Sequence, residues 1–381
     1  MKSTAEVVII GGGITGTAIA YNLAKKGVKN IVLLEKNFLA SGATGRCGAG
    51  VRSQWGTKMN CILAKESISF FEKINWELDY KEDCEFKQGG YLLLANTERE
   101  VSQFKKNIEL QNKLDIPSKL LSPYEAKQIV PFLDTDKILA AAFCYKDGHA
   151  NPFHVVNAYA KAAERLGVEI CKYTTVTGIE TQNGRVKKVI TDKGEILTEK
   201  VVNAAEGHSK EIASMAGLNI PVYSERHQIL VTEPVNPTLN PMVMSFSMNF
   251  YVQQTPHGSF LMGCSHDEPE SYNISSSWDF MEDISKRIVG ILPPLKDVHV
   301  VRQWAGLYNM TPDRQPILGS HPELGGFYMA VGFSGHGFML GPMTGLLMAE
   351  HILGEKYTND ISTLDVGRFE RGELVFEPSV V

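Results

Sequence analysis

The chain has 381 residues, 43% of them hydrophobic and 21% charged, with a formal net charge of 38 − 43 = −5. That composition excludes long disorder and argues against a nucleic-acid surface, which needs clustered positive charge. No apolar run approaches the ~18 residues of a membrane span, and six cysteines without a CxxC pair point away from a metal centre or a secreted disulfide framework. The length predicts two to three domains.

Residues 7–10, Val-Val-Ile-Ile, form the first predicted strand. It starts too early to leave room for a signal peptide, so the expectation is a cytoplasmic protein. Thr15 to Lys26 reads as a helix with Ala18, Ile19, Leu23 and Ala24 near helical spacing, and Val28 to Glu35 as a second strand. The first 35 residues are therefore a βαβ unit with parallel strands. A glycine-dense loop, Ser41 to Arg52, follows. Residues 58–76 and 97–114 read as helical, with a strand over Gly90–Leu94 between them. Phe153 to Leu166 is a helix with Val155, Ala158, Tyr159 and Ala162 on one face. Strands are predicted at Val168–Tyr173, Val186–Thr191 and Val201–Ala204, with Asn-Gly and Lys-Gly turns. Residues 221–263 alternate as β structure, and the chain closes with strand Phe327–Val331, loop Gly332–Gly337 and a helix near 338–352. The nucleotide unit is thus interrupted by a β-rich domain.

Gly11-Gly12-Gly13-Ile14-Thr15-Gly16 fits G-x-G-x-x-G between a strand and a helix. Glycines permit the tight turn and close backbone approach, and the helix N-terminus offers N–H groups to a pyrophosphate. Glu35 lies 35 − 16 = 19 residues beyond Gly16, where a carboxylate can bind ribose hydroxyls. Lys36 follows it, with no dedicated 2′-phosphate clamp. These residues mark a dinucleotide site, and the pattern alone leaves NAD and FAD both open. An NAD domain usually continues through another βαβ repeat, whereas this chain enters the Ser41–Arg52 loop.

Over nearly its whole length the sequence resembles the FAD-dependent amine oxidoreductases related to D-amino acid oxidase, glycine oxidase and sarcosine oxidase. The segments that carry the resemblance are the N-terminal fingerprint, Ser41-Gly-Ala-Thr44, Arg302-Gln-Trp-Ala-Gly-Leu-Tyr-Asn-Met-Thr-Pro-Asp313, Gln315-Pro-Ile-Leu-Gly319 and Gly332-Phe-Ser-Gly-His-Gly-Phe338. Thr44-Gly-Arg-Cys-Gly48, Phe104–Asn112 and Arg368–Glu373 are most similar to the β subunits of dye-linked L-proline dehydrogenases, with heterotetrameric sarcosine oxidase also near. The resemblance implies an α/β plus β fold: a Rossmann-like FAD-binding domain of the glutathione reductase-like, D-amino acid oxidase type, interleaved with an antiparallel-sheet substrate domain. Residues 1–80, 141–215 and 300–381 are assigned to the former, 81–140 and 216–299 to the latter.

The implied reaction is oxidation of a secondary amino acid of the L-proline type by hydride transfer to flavin N5, in a catalytic β subunit of a multi-subunit dehydrogenase. Non-covalent FAD is expected on Gly11, Gly13, Ile14, Thr15, Gly16, Glu35, Lys36, Ser41, Thr44, Arg46, Cys47, Gly50, Val51, Val176, Ala204, Gly332, Gly335, His336, Gly337, Phe338 and Met339. An interfacial FMN and partner subunits with NAD(H)/ATP-binding or iron-sulfur sites are further expectations, and no metal is expected in this chain. Arg52 can hold a carboxylate bidentately; its alternative is a phosphate-binding or structural arginine, and Arg46 competes. His227 can take a proton near neutral pH, Tyr251 and Tyr308 can orient substrate, and His336 stands beside the flavin; each is otherwise a satisfied buried polar side chain.

Several positions depart from the relatives. Met339 stands where monomeric sarcosine oxidases have a carboxylate-binding lysine, and Gly306 where some carry the cysteine that attaches FAD. Asn151-Pro152-Phe153 occupies the place of a histidine that attaches FMN, with His149 and His154 nearby. Ser259–Gly263 lacks the lysine of the oxidases, which favours a dehydrogenase. Glu206 replaces a usual glycine. The competing readings are a sarcosine, glycine or opine oxidase using oxygen, and a non-catalytic electron-transfer subunit.

Overall fold

In the computed structural model, which describes residues 1–265 and 268–378, the first strand is Val7–Ile10 and lies inside a six-stranded sheet. On one side it pairs in parallel with Ile31–Leu34, which pairs with Glu169–Cys171. On the other it pairs with Val201–Asn203, then Phe327–Val331, and the antiparallel strand Ile317–Ser320 closes the edge. All four residues of the first two strands are buried, as continuous apolar runs in parallel sheets must be.

The connecting helix, Ile14–Lys25, packs against Gly337–Leu353, and small residues set their distance. A Cβ at Gly345 would lie 2.6 Å from that of Ala18, and one at Gly341 would lie 2.8 Å from the Ile14 side chain. Both helices start at the carboxyl edge of the parallel strands. So do the turns after Ile10, Leu34 and Asn203, which makes that edge a binding crevice.

The second sheet has eight strands, in the spatial order Val300–Met310, Tyr223–Pro234, Ser259–Cys264, Phe250–Gln254, Met242–Ser245, Tyr91–Ala95, Ala140–Cys144 and Lys119–Leu121. Val300–Met310 was grouped with the nucleotide-binding segments on sequence. It hydrogen-bonds along its length to Tyr223–Pro234 in this sheet, where the two long strands satisfy each other's backbone groups. The helix Trp278–Ile291, unremarked in the sequence, covers the sheet with Phe280, Ile284, Ile288 and Ile291, and Ser277 Oγ caps it by accepting from Phe280 N–H. A separate meander joins Val176–Gln182, Arg185–Thr191 and Gly194–Leu197. Its Asn183-Gly184 turn holds φ of 52° and 69°, the two positive values a type I′ hairpin turn requires.

A fully buried ion pair anchors the C-terminal segment. Arg368 Nε and Nη2 donate to the two oxygens of Asp313 at 2.8 and 3.0 Å, and its remaining bonds go to the carbonyls of Leu364, Asp365 and Gln315. Asp313 also accepts from Val375 N–H. Because removing one member strands a buried charge, Arg368→Ala should lower stability by about 3–5 kcal/mol in urea unfolding. An unchanged midpoint would show that the pair does not hold this end of the fold.

Candidate active site

At the carboxyl edge of the six-stranded sheet lies an elongated cavity of about 340 Å³. Its floor is the glycine turn. A Cβ at Gly11 would lie 2.3 Å from the Ala204 carbonyl oxygen, and one at Gly16 would lie 2.0 Å from that of Gly11. Both close approaches require glycine, so Gly16 shapes the turn without lining the cavity. At Gly13 the neighbour within reach of a Cβ is the Thr44 hydroxyl at 2.9 Å; the other side faces the cavity. The cradle therefore fits a pyrophosphate, with helix N-terminal N–H groups facing it.

Glu35 and Lys36 line the far end of the cavity, with Val176. The Glu35 carboxylate accepts from Gly12 N–H and Asn37 N–H, both at 2.8 Å, so it also braces the glycine turn. From the Ser41–Arg52 loop, Ser41, Thr44, Arg46 and Cys47 reach the cavity, and Thr44 Oγ1 accepts from Ile14 N–H. Arg46 donates to the carbonyls of Ser41 and Ala305, which ties the loop to the second sheet. The Cys47 thiol donates to the Thr44 carbonyl, and burial pushes its pKa up to about 11. A Cβ at Gly306 would lie 3.0 Å from that of Arg46.

Ala204, Gly335, Gly337 and Phe338 complete the lining. Four other predicted cofactor residues stand behind it. Gly332 belongs to the turn, Met339 is packed in the core, and Gly50 and Val51 pair with Gly148–His149. His336, at the N-cap of the long helix, is also off the cavity surface. It meets the buried Trp55 edge-on at 4.5 Å, and burial, with the charges of Arg52 and Arg314, pushes its pKa down to about 3. It is neutral at physiological pH.

Tyr308 lines the cavity and joins it to the second sheet. Its ring stacks on His227 with centroids 3.7 Å apart and presses on Gly335, where a Cβ would lie 2.5 Å from Cε2. His227 Nε2 stands 3.8 Å from the Glu225 carboxylate. Tyr251 lies against Gly48 and Gly263, and burial pushes its pKa up. Arg52 is buried beneath this group, its guanidinium 4.1 Å from the Trp55 ring and 5.5 Å from that of Phe246. Among the described residues its hydrogen bond is from Nη1 to the Gln54 carbonyl.

Two contributors escaped the sequence reading. Tyr91 is buried where the Arg52 charge acts on its hydroxyl. The Asn309 side-chain oxygen accepts from Gly332 N–H and Ser209 Oγ, fixing the glycine-rich turn. A polar residue inside an apolar strand was the available signal for both. Glu206, which stands where relatives have glycine, lines the cavity.

A profile of the family described as FAD dependent oxidoreductase matches residues 6–351. The chain belongs to that family. The oxidoreductase is 31% identical to sarcosine oxidase subunit beta of Rhodobacter capsulatus, across 99% of this chain and 91% of that protein. The crystal structure of L-proline dehydrogenase from P. horikoshii is 40% identical, with a TM-score of 0.94 over 98% of this chain and 100% of that one. Glycine oxidase from Geobacillus kaustophilus, at 24% identity and a TM-score of 0.89, covers 96% of this chain and 99% of that one and shares the fold. The Rossmann-like and antiparallel parts expected from the sequence are those of this D-amino acid oxidase-type fold. Among the described residues no helix is long and apolar enough to cross a membrane, and no group of three His, Cys, Asp or Glu side chains could hold a metal.

Gly13→Val would push two methyl groups into the cradle of the oxidoreductase. The purified variant should lose its FAD and its yellow colour; normal visible flavin absorbance would refute this placement.

Proposed function

We propose that the chain oxidises a secondary amino acid of the L-proline type, as the FAD-carrying catalytic β subunit of a multi-subunit dehydrogenase. The observation that carries this reading is the likeness to L-proline dehydrogenase across the whole of both chains. FAD, when bound, would supply a two-electron acceptor for the substrate's hydride. The glycine turn, Glu35, the Ser41–Cys47 loop and the start of helix Gly337–Leu353 would hold it non-covalently. Each of these is a residue-by-residue assignment that binding of variants can test.

The chain's own side chains bind and orient the amino acid. Arg52 anchors the carboxylate: its buried guanidinium has donors beyond the bond to Gln54, and a charged hydrogen bond strengthens where water is excluded. Met339 lies in the core and cannot replace the lysine of monomeric sarcosine oxidases. His227 receives the proton of the substrate ammonium, with Glu225 beside it to stabilise the resulting charge. Tyr251 and Tyr308 close the pocket and orient the nitrogen. His336 packs on Trp55 behind the cavity, and the end of the helix that starts at Gly337 lines it, where the helix dipole would favour negative charge on a bound cofactor by about 0.3–1 kcal/mol.

The electrons leave through a partner. Ser259–Cys264 contains no lysine to assist oxygen, and the match to sarcosine oxidase subunit beta supports assembly with other subunits. We assign those subunits NAD(H)/ATP-binding or iron-sulfur sites, with an FMN at the interface near the start of helix Pro152–Arg165. The same match favours the second reading, a sarcosine, glycine or opine oxidase that uses oxygen. A dye-linked assay across L-proline, hydroxyproline, sarcosine, glycine, D-amino acids and an opine separates the two. L-proline should give the highest kcat/KM; a higher value for sarcosine or glycine would overturn the leading assignment.

Arg52→Ala should reduce kcat/KM for L-proline by roughly ten- to a hundredfold, the loss of a charged hydrogen bond of about 1.5–3 kcal/mol. FAD content should be retained. An unchanged kcat/KM would remove Arg52 from the substrate site.

A further inference from the structure

Glu206 follows the strand Val201–Asn203 and opens a single 3-10 turn, Glu206–His208. Its φ is +45°, the left-handed region where glycine is unstrained and a glutamate is not. The side chain turns into the cofactor cavity. Its Oε1 lies 3.0 Å from the Cβ position of Gly337, the first residue of helix Gly337–Leu353. Nothing among the described residues donates a hydrogen bond to this carboxyl.

The charged and titratable groups around it are otherwise engaged. On its own segment His208 pairs with Glu211 at 2.7 Å, and Lys210 with Glu270 at 2.8 Å. Tyr308 on Val300–Met310 stacks on His227, which faces Glu225. Arg46 on the glycine loop is bound to backbone carbonyls, and the N-cap His336 packs on Trp55. The carboxyl is therefore an uncompensated acid beside the helix end that faces the cofactor.

We propose that Glu206 sets the reduction potential of the bound FAD. Reduction adds two electrons to the cofactor, with protons drawn from solvent, and an anionic carboxylate in the same cavity opposes the charge gained. A neutral carboxyl does not. Burial pushes the Glu206 pKa up to about 8, so its ionisation falls within an accessible range. The sign follows: below that value the carboxyl is neutral and leaves the potential alone, and above it the carboxylate lowers the potential. This inference rests on the family's cofactor and not on which amino acid is oxidised.

The test is the midpoint potential of FAD in the purified holoenzyme, equilibrated with reference dyes without amino acid, across a pH range centred on about 8. Glu206→Gln and Glu206→Gly are compared with the unmodified protein. All three should coincide on the acid side and diverge on the alkaline side. There the native reduction equilibrium should be at least about tenfold weaker than either variant's, close to 30 mV for a two-electron couple. Glycine relieves the positive φ, so Glu206→Gly carries the comparison if Glu206→Gln loses FAD. Parallel potential–pH lines, or a native potential above the variants' on the alkaline side, would overturn the proposal. Failure of L-proline as a substrate would leave it untouched.

Discussion

Backbone must meet backbone at the carboxyl end of Val7–Ile10, and the site depends on that approach. Gly11 lies so near the Ala204 carbonyl, and Gly16 so near that of Gly11, that no side chain fits at either position. This contact lets helix Ile14–Lys25 begin at the cavity, so that its N-terminal end faces it. Gly341 and Gly345 extend the constraint to Gly337–Leu353, whose N-terminus reaches the same cavity. Two helix ends and three strand ends thus converge on one cavity.

The second sheet is joined to this centre by few, specific links. Arg46 ties the glycine loop to the strand Val300–Met310, and Asn309 on that strand fixes the turn at Gly332. Tyr308 then stands between Gly335 and His227, so the strand Val300–Met310 links the second sheet to the cavity. The arrangement places polar side chains inside an apolar shell, where hydrogen bonds are strong and unpaired groups are costly.

The βαβ unit was legible because its signals are local: an apolar run, three glycines, helical spacing and an acid at the right distance. The Asn183-Gly184 turn and the strand after it were legible for the same reason, whereas the partner strand Val176–Gln182, with exposed and polar residues along it, was not. The pairing of Val300–Met310 with Tyr223–Pro234 was not foreseen, because it joins residues about eighty positions apart and nothing local encodes it. The dual use of Glu35, bracing Gly12 as well as facing the cavity, needs the folded turn to be seen. Tyr91 reads as an ordinary strand tyrosine until the fold buries it where the Arg52 charge acts on its hydroxyl. Glu206 was visible as a departure, but its meaning came from the cavity it enters.

Direct reduction of the bound flavin by its substrate tests the central claim with the fewest assumptions. Holoenzyme is mixed with L-proline without oxygen, the visible flavin absorbance is followed, and air is then admitted. The expected result is rapid bleaching followed by slow recovery in air. No bleaching by L-proline in the complete assembly, or bleaching by sarcosine or glycine with prompt peroxide formation, would contradict it.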